Sequence, residues 1–479
     1  MSLKHKISFL LLAAAALAGC TVGPKYAKPK VAVDPSFHNA TPELYGSSEP
    51  VAQFWSQFGD PLLDRLIKEG LGSNFDLKIA AARLREARAL RRESKFDRFP
   101  TVTTEADFTK SKLSTDQGQG FPGNLLQNQL YEAGFDAYWE IDFFGRVRRS
   151  VEAATASSEA SYYDVKAVQV SVASEIARNY MELRGLQTQL HVAERNAANQ
   201  SDTLDITQSR LDAGRGTAFD TERAQSQLSS TKAIIPALKS QIAFTENRLA
   251  VLVGRSPSSL VGELDKPMEI PALPDKLDIS SPEALLRRRP DIAAAERRLA
   301  AQTALVGVAV ADLFPRVVFS GNLALSSNDF TGLGSQGSSS YSFGPSVTWP
   351  AFNLGRVKAR IRASEARNDE ALAQYQQTVL QAIEETENAL VALEQSRARR
   401  EQLAQAAQSS RNAAELARIR FDGGIADFLQ VLDAERTQLD AEDRLAQSRT
   451  ETATATIAVY KALGVGFATP GNPKTAQIP

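Results

Sequence analysis

Little in this sequence can support redox or metal chemistry. Of its 479 residues one is cysteine, Cys20, and three are histidine: His5, His38 and His191. A lone cysteine cannot form a disulfide within the chain. The scattered histidines give no ligand spacing for zinc or non-haem iron. Aromatic residues make up only 7%, and much of the 43% hydrophobic fraction is alanine. That mixture suits long helices packed through small side chains better than a thick globular core. The formal net charge is −1, with charged residues at 23%, so no basic surface calls for nucleic acid. Beyond the N-terminal stretch no apolar run approaches the ~20 residues of a spanning helix. If the mature chain crosses a membrane, it must do so as a β-barrel.

What is present begins with an export signal. Lys4 and Lys6 precede an apolar stretch from Ile7 to Ala18, followed by Leu17-Ala18-Gly19-Cys20. This reads as a signal peptide over residues 1–19. Its ending resembles the bacterial lipobox, which makes Cys20 the lipidated first residue of the mature chain. The alternative is an ordinary signal with a chance cysteine. Thr21 follows in place of the Asp associated with inner-membrane retention, which points to the outer membrane.

The chain is also a repeat. Phe99-Pro100 recurs as Phe314-Pro315, 215 positions later, and Gly145-Arg146-Val147 as Gly355-Arg356-Val357, 210 later. Arg210-Leu211-Asp212-Ala213-Gly214 matches Arg420-Phe421-Asp422-Gly423-Gly424 at the same 210. A constant offset over such a distance marks duplication. Each half reads as helix, Phe-Pro stop, two strands, Gly-Arg-Val, very long helix, Asp-x-Gly turn, helix, Gly stop. Pro-rich segments bound the halves. The expected organisation is an extended anchored segment at 20–60, a first repeat at 61–254, a linker at 255–281, a second repeat at 282–464, and a loose tail at 465–479.

Four stretches alternate with the period of a strand that has one apolar face. Val102, Thr104, Ala106 and Phe108 form one apolar set; Phe135, Ala137, Trp139, Ile141 and Phe143 form the second. Val317, Phe319, Leu323 and Leu325 form the third; Tyr341, Phe343, Val347 and Trp349 the fourth. Carboxylates such as Glu105, Asp107, Asp136, Glu140 and Asp142 occupy the opposite parity, which suits a water-filled lumen. The competing reading is two soluble hairpins, each with a face on its own core. Four strands cannot close a barrel, for which about 8 are needed, and an open edge in lipid leaves backbone groups unpaired. The pattern therefore predicts a barrel shared between subunits.

No proline interrupts Val147–Ala213 or Val357–Asp422. At ~1.5 Å per residue each helix can run ~100 Å. Leu372, Tyr375, Val379, Ile383, Leu390 and Leu393 step by coiled-coil intervals. Shorter helices are expected at about 74–98 and 218–253, the second kinked by Pro236.

With these elements in place the chain resembles the TolC/OprM-type outer-membrane factor family, in its lipoprotein branch, over nearly its whole length. The carrying motifs are Cys20-Thr21-Val22-Gly23-Pro24-Lys25-Tyr26, Trp55 with Phe58-Gly59-Asp60-Pro61-Leu62, and Leu286-Arg287-Arg288-Arg289-Pro290-Asp291-Ile292 with Glu296. The doubled Gly-Arg-Val and Asp-x-Gly turns complete the set. The resemblance implies a mainly α fold with β: a homotrimeric 12-stranded β-barrel continued by a long α-helical barrel. It implies an efflux channel docked to a periplasmic adaptor and an inner-membrane pump of the resistance-nodulation-division type. Asp212, Gly214 and Gly216 with Asp422, Gly423 and Gly424 would form the periplasmic tip turns that meet the adaptor. Leu429, Asp433 and Arg436 would line the periplasmic aperture; their offsets in the first half, Phe219, Arg223 and Ser226, do not mirror them. On the sequence alone, Asp433 and Arg436 also read as a surface pair worth ~0.2–0.5 kcal/mol.

No catalytic constellation, cofactor or metal is expected. Gly332-Leu333-Gly334-Ser335-Gln336-Gly337 fits G-x-G-x-x-G, but serines and a strand follow where a phosphate-binding helix should start. Two functional alternatives stay open: a duct for type I protein secretion, and a non-conducting periplasmic scaffold.

Overall fold

The computed structural model describes residues 21–112, 114, 116 and 127–466. The signal segment, Cys20 and residues 467–479 lie outside that range. The repeat is reproduced element for element. Helices α1 (Pro61–Ser73) and α2 (Phe75–Phe96) precede strands β2 (Thr101–Lys112) and β3 (Gln127–Ile141). The 67-residue α3 (Arg146–Asp212) and α4 (Ala218–Leu252) follow. After the one-turn α5 (Val261–Leu264), the second half runs α6 (Pro282–Arg288), α7 (Pro290–Ala311), β5 (Arg316–Ser327), β6 (Ser339–Thr348), α8 (Leu354–Asp422) and α9 (Phe428–Ala462). Helices α2 and α7 are both 22 residues long, and α4 and α9 both 35. Pro236 sits inside α4 without ending it. Among the described residues no helix is long and apolar enough to cross a membrane.

The chain divides into two compact units, and both repeats contribute to each. Of the described residues, one comprises those within 21–30, 83–161 and 294–376; the other comprises those within 31–82, 162–293 and 377–466.

The first unit holds one four-stranded antiparallel sheet in the order β2-β3-β5-β6. The soluble-hairpin alternative fails here, because β3 pairs with β5 and fuses the two hairpins into one sheet. Register aligns Thr104 with Phe135, Phe135 with Leu323, and Leu323 with Tyr341. It likewise aligns Val102, Ala137, Gly321 and Phe343. Since parity alternates sides, all four apolar sets share one face. Among the described residues that face covers no core: Phe135 and Leu323 are each 54% exposed and Phe343 72%. Strand β3 ends at Ile141, so Phe143 falls just past it, and Trp349 just past β6. Gly332–Gly337 lies in the connection between β5 and β6, with strand rather than helix after it.

The second unit carries the main core cluster, and residues 31–60 and 255–282 of the Pro-rich stretches belong to it. Phe37, Tyr45, Phe54, Trp55 and Phe58 are buried with Leu63, Ile176, Tyr180, Leu249, Leu390 and Tyr460. The interval expected as a linker supplies β4 (Leu277–Asp278), which pairs in parallel with β1 (Tyr45–Gly46). Phe58-Gly59-Asp60-Pro61-Leu62 is a helix start. Gly59 takes φ +62°, Asp60 accepts from the Leu62 and Leu63 amides, and Pro61 opens α1. The Arg-Arg-Arg-Pro-Asp motif closes the C-terminal end of α9. Arg288 donates to the Leu463 carbonyl at 2.8 Å and Arg289 to the Ala462 carbonyl at 2.9 Å, covering the last acceptors of α9.

Candidate functional site: anchor junction and helix turns

Cys20 lies outside the described residues, but its neighbours are fixed. The Val22 amide donates to the Phe144 carbonyl at 3.2 Å. Arg149 donates to the carbonyls of Val22 and Gly23 at 3.4 Å each. The glycines of this motif are needed for contact. A Cβ on Gly23 (φ +84°) would sit 2.6 Å from the Gly307 Cα, and one on Gly145 (φ +85°) 2.6 Å from the Thr21 side chain. Residues 21–23 are thus seated where β3 hands over to α3.

Further along the same segment, Tyr26 donates to Glu296 at 2.9 Å, and Lys28 stands 3.1 Å from the same carboxylate. Burial pushes Glu296 up, but its bonds to Arg297, Tyr26 and Lys28 win and hold it below the usual carboxylate value. At the strand ends the tryptophans turn their N–H groups inward: Trp139 donates to the Arg98 carbonyl and Trp349 to that of Leu313. An apolar ring with a satisfied polar tip suits a membrane–water boundary.

The two helix–helix turns are copies of one another. Gly214 has φ +70° and Gly424 φ +71°. The Arg215 amide bonds back to the Arg210 carbonyl, and the Ile425 amide to that of Arg420, both at 2.8 Å. This is the Schellman closure, which needs a left-handed residue after the helix. The next helices are capped by Thr217, which accepts from the Asp220 amide, and by Asp427, which accepts from the Gln430 amide. The sequence-selected glycines are not equivalent. Gly216 is crowded by Leu211 and Arg210, whereas a Cβ on Gly423 meets nothing closer than 3.4 Å. Asp212 and Asp422 are the last residues of α3 and α8. Gly214→Val or Gly424→Val should therefore cost about 1–2 kcal/mol in backbone strain and speed amide exchange in the flanking turns. Gly423→Ala should leave that exchange unchanged.

Leu429, Asp433 and Arg436 all lie in the first turns of α9. Leu429 is half exposed; Asp433 and Arg436 pair at 3.4 Å with side chains 68% and 71% exposed. In the first repeat Arg223 instead stacks over Phe219, 5.3 Å from the ring centroid. Sequence reasoning missed the two carboxylates that hold this helix down. Glu435 accepts from Thr203 and Arg418 at 2.8 Å. Glu442 accepts from Arg411 at 2.9 Å, Asn196 at 3.2 Å and Gln438 at 3.2 Å, and also pairs with Arg195. The signal was present: Val431, Glu435, Gln438 and Glu442 step by helical intervals along the buried face. Below them Phe421 and Phe428 pack with Ala224 and Val431, and Arg210 lies 3.7 Å over the Phe421 ring.

Known proteins place this architecture. Residues 66–255 and 281–465 each match the family described as outer membrane efflux protein. The chain is 30% identical over 457 residues to the outer membrane protein OprJ of Pseudomonas aeruginosa, covering 95% of each chain. It is 29% identical over 471 residues to the toluene efflux pump outer membrane protein TtgI of Pseudomonas putida, covering 95% of this chain and 97% of that one. Among solved structures, the outer-membrane channel OprN superposes with a TM-score of 0.86 at 42% identity, covering 93% of this chain and 99% of that one.

Proposed function

The chain belongs to the outer membrane efflux protein family, and on that premise we propose that it is the outer-membrane duct of a tripartite efflux assembly. One observation carries this reading. Among the described residues a single chain presents a four-stranded sheet whose apolar face is uncovered and whose β2 and β6 are each unpaired on one side. In water such a face and such edges invite aggregation. In lipid the edges are intolerable unless another chain pairs with them. Three copies supply twelve strands, enough to close. Closure puts the apolar face toward lipid and the carboxylate-bearing face toward a lumen.

The remaining roles follow from placement. Cys20, adjoining the seated Thr21, carries the lipid, and the strand-to-helix junction holds it at the membrane boundary. The Gly214 and Gly424 turns form the tips that meet a periplasmic adaptor, itself coupled to a resistance-nodulation-division pump. Leu429, Asp433 and Arg436 narrow the entrance. Cargo moves passively through the duct.

In a trimer three Asp433 carboxylates near one axis would repel. Arg436, exposed beside each, offsets that repulsion and offers a partner across the entrance. Purified protein in planar bilayers should give single-channel currents, and Asp433→Ala with Arg436→Ala should raise the conductance. Absence of current from the unmodified protein would leave a scaffold. Unchanged conductance in the double variant would return the pair to an ordinary surface role.

A further inference from the structure

The two Gly-Arg-Val junctions are alike in sequence but differ in charge balance, the first neutral and the second cationic. In the first, Arg146 donates to Glu140 at 2.7 Å, Arg148 pairs with Asp142 at 3.2 Å, and Arg149 with Glu152 at 2.9 Å. Adding the repeat offset of 210 turns Glu140, Asp142 and Glu152 into Pro350, Phe352 and Arg362, while Arg146 becomes Arg356 and Arg148 becomes Lys358. The second junction keeps two of the three cations, since Arg149 becomes Ala359, and loses every acid. It also gains Arg360 where the first has Ser150. Cations at a helix N-terminus oppose the helix dipole, so helix stability does not explain them.

Arg356 and Arg360, four residues apart on one helix face, open into a cavity of about 510 Å³. Its strand lining is mostly of the polar parity, Tyr138 and Glu140 from β3, Arg316 and Val318 from β5, Ser346 and Thr348 from β6, with Ile141 at the end of β3 from the apolar set. Three carboxylates border it, and each is already engaged: Glu140 by Arg146, Asp142 by Arg148, and Asp312 by Arg316 at 3.2 Å. Among the described residues Arg356 and Arg360 have no carboxylate partner. Tyr138 and the stacked Phe144–Phe314 pair, with centroids 4.6 Å apart, add apolar wall. Lys358 and Arg362 point about 200° away around the helix, since two residues turn that far, and do not line the cavity.

We propose that Arg356 and Arg360 form an anion-recruiting site in the duct, where the helices give way to the strands, suited to organic anions with an aromatic or apolar body. Two free guanidinium groups supply bidentate donors for a carboxylate or sulfonate. The aromatic wall takes the body, and the volume lies in the range of small-molecule sites. The site rests on the reading above that the polar sheet face lines the lumen. It would bias the duct toward anionic cargo by raising the local anion concentration.

The test uses the full-length trimer in planar bilayers under a potassium chloride gradient, with naphthalene sulfonate as blocker. Arg356→Gln with Arg360→Gln should lower the chloride-to-potassium permeability ratio by about threefold and raise the sulfonate needed for block by about tenfold. Lys358→Gln with Arg362→Gln should change neither. Arg356→Lys with Arg360→Lys should keep the ion preference and weaken the block, because lysine loses the planar fork. Unchanged selectivity and block in the double Gln variant would overturn the site, as would equal shifts from the Lys358 and Arg362 pair. If the double Gln variant does not assemble, Arg360→Gln alone is read by the same criteria. A complete lack of current from the unmodified trimer would instead overturn the channel reading.

Discussion

Leu323→Arg should remove the trimer from the outer membrane, whereas Ser320→Arg, three residues earlier on the opposite face, should leave it in place. Leu323 sits in the middle of β5, flanked across the sheet by Phe135 and Tyr341, and is 54% exposed in the single chain. If that face meets lipid, an arginine there costs about 2–4 kcal/mol at mid-bilayer depth. Each protomer carries the substitution, so an assembled trimer bears it three times. Ser320 aligns with Tyr138 and Gly344 on the polar face, where water solvates a guanidinium. The check is the amount of heat-resistant trimer in isolated outer membranes. Equal loss from both variants would mean the faces do not differ in what they touch.

The second large effect concerns α9. Glu442 keeps only 3% of its side chain exposed and gathers Arg195, Arg411, Asn196 and Gln438. Glu442→Ala takes a carboxylate partner from all four, although Asn196 keeps its bond to the Val192 carbonyl. Breaking a buried pair costs about 3–5 kcal/mol, but Arg195 and Arg411 are 40% and 48% exposed and regain water. A cost of about 1–3 kcal/mol is therefore expected. Amide exchange along 435–448 should speed up by about tenfold or more. The ordinary surface pair Asp440 with Arg444 serves as the comparison and should change exchange little.

The same carboxylate sets a pH limit. Burial raises Glu442, but bonds from Gln438, Arg411 and Asn196 and the Arg195 charge outweigh it and leave its pKa below the usual value. A group depressed on folding contributes fully above its unfolded pKa, about 4.3, and loses that contribution as pH falls through the folded one. Protection of α9 should thus persist at about pH 5 and decline only below about pH 4.

The sequence made most of the scaffold readable because duplication and strand parity are local signals. Phe99-Pro100 and Phe314-Pro315 bracket the starts of β2 and β5 as expected, and the apolar sets of all four strands land on one face. The Asp-x-Gly turns were legible as turns, since a left-handed position demands glycine. That Gly424 rather than Gly423 holds that position depends on where α8 stops, which spacing alone does not fix. The Pro-rich stretches read as loose connections, yet Phe54, Trp55 and Leu277 are core residues. Their burial depends on partners more than a hundred positions away, which no local pattern reveals. Glu435 and Glu442 went unnoticed for a related reason. A carboxylate on an apolar stripe looks like an interruption until Arg418, Arg411 and Arg195 arrive from other helices. Asp433 and Arg436 drew notice through family resemblance, and the single chain leaves both in solvent.

The claim beneath all of this is that identical chains complete one another's sheet. Native mass spectrometry of the purified protein in mild detergent measures that directly. A particle of three protomer masses, persisting on dilution, is the predicted result. A stable single chain, with β2 and β6 still unpaired, would contradict it.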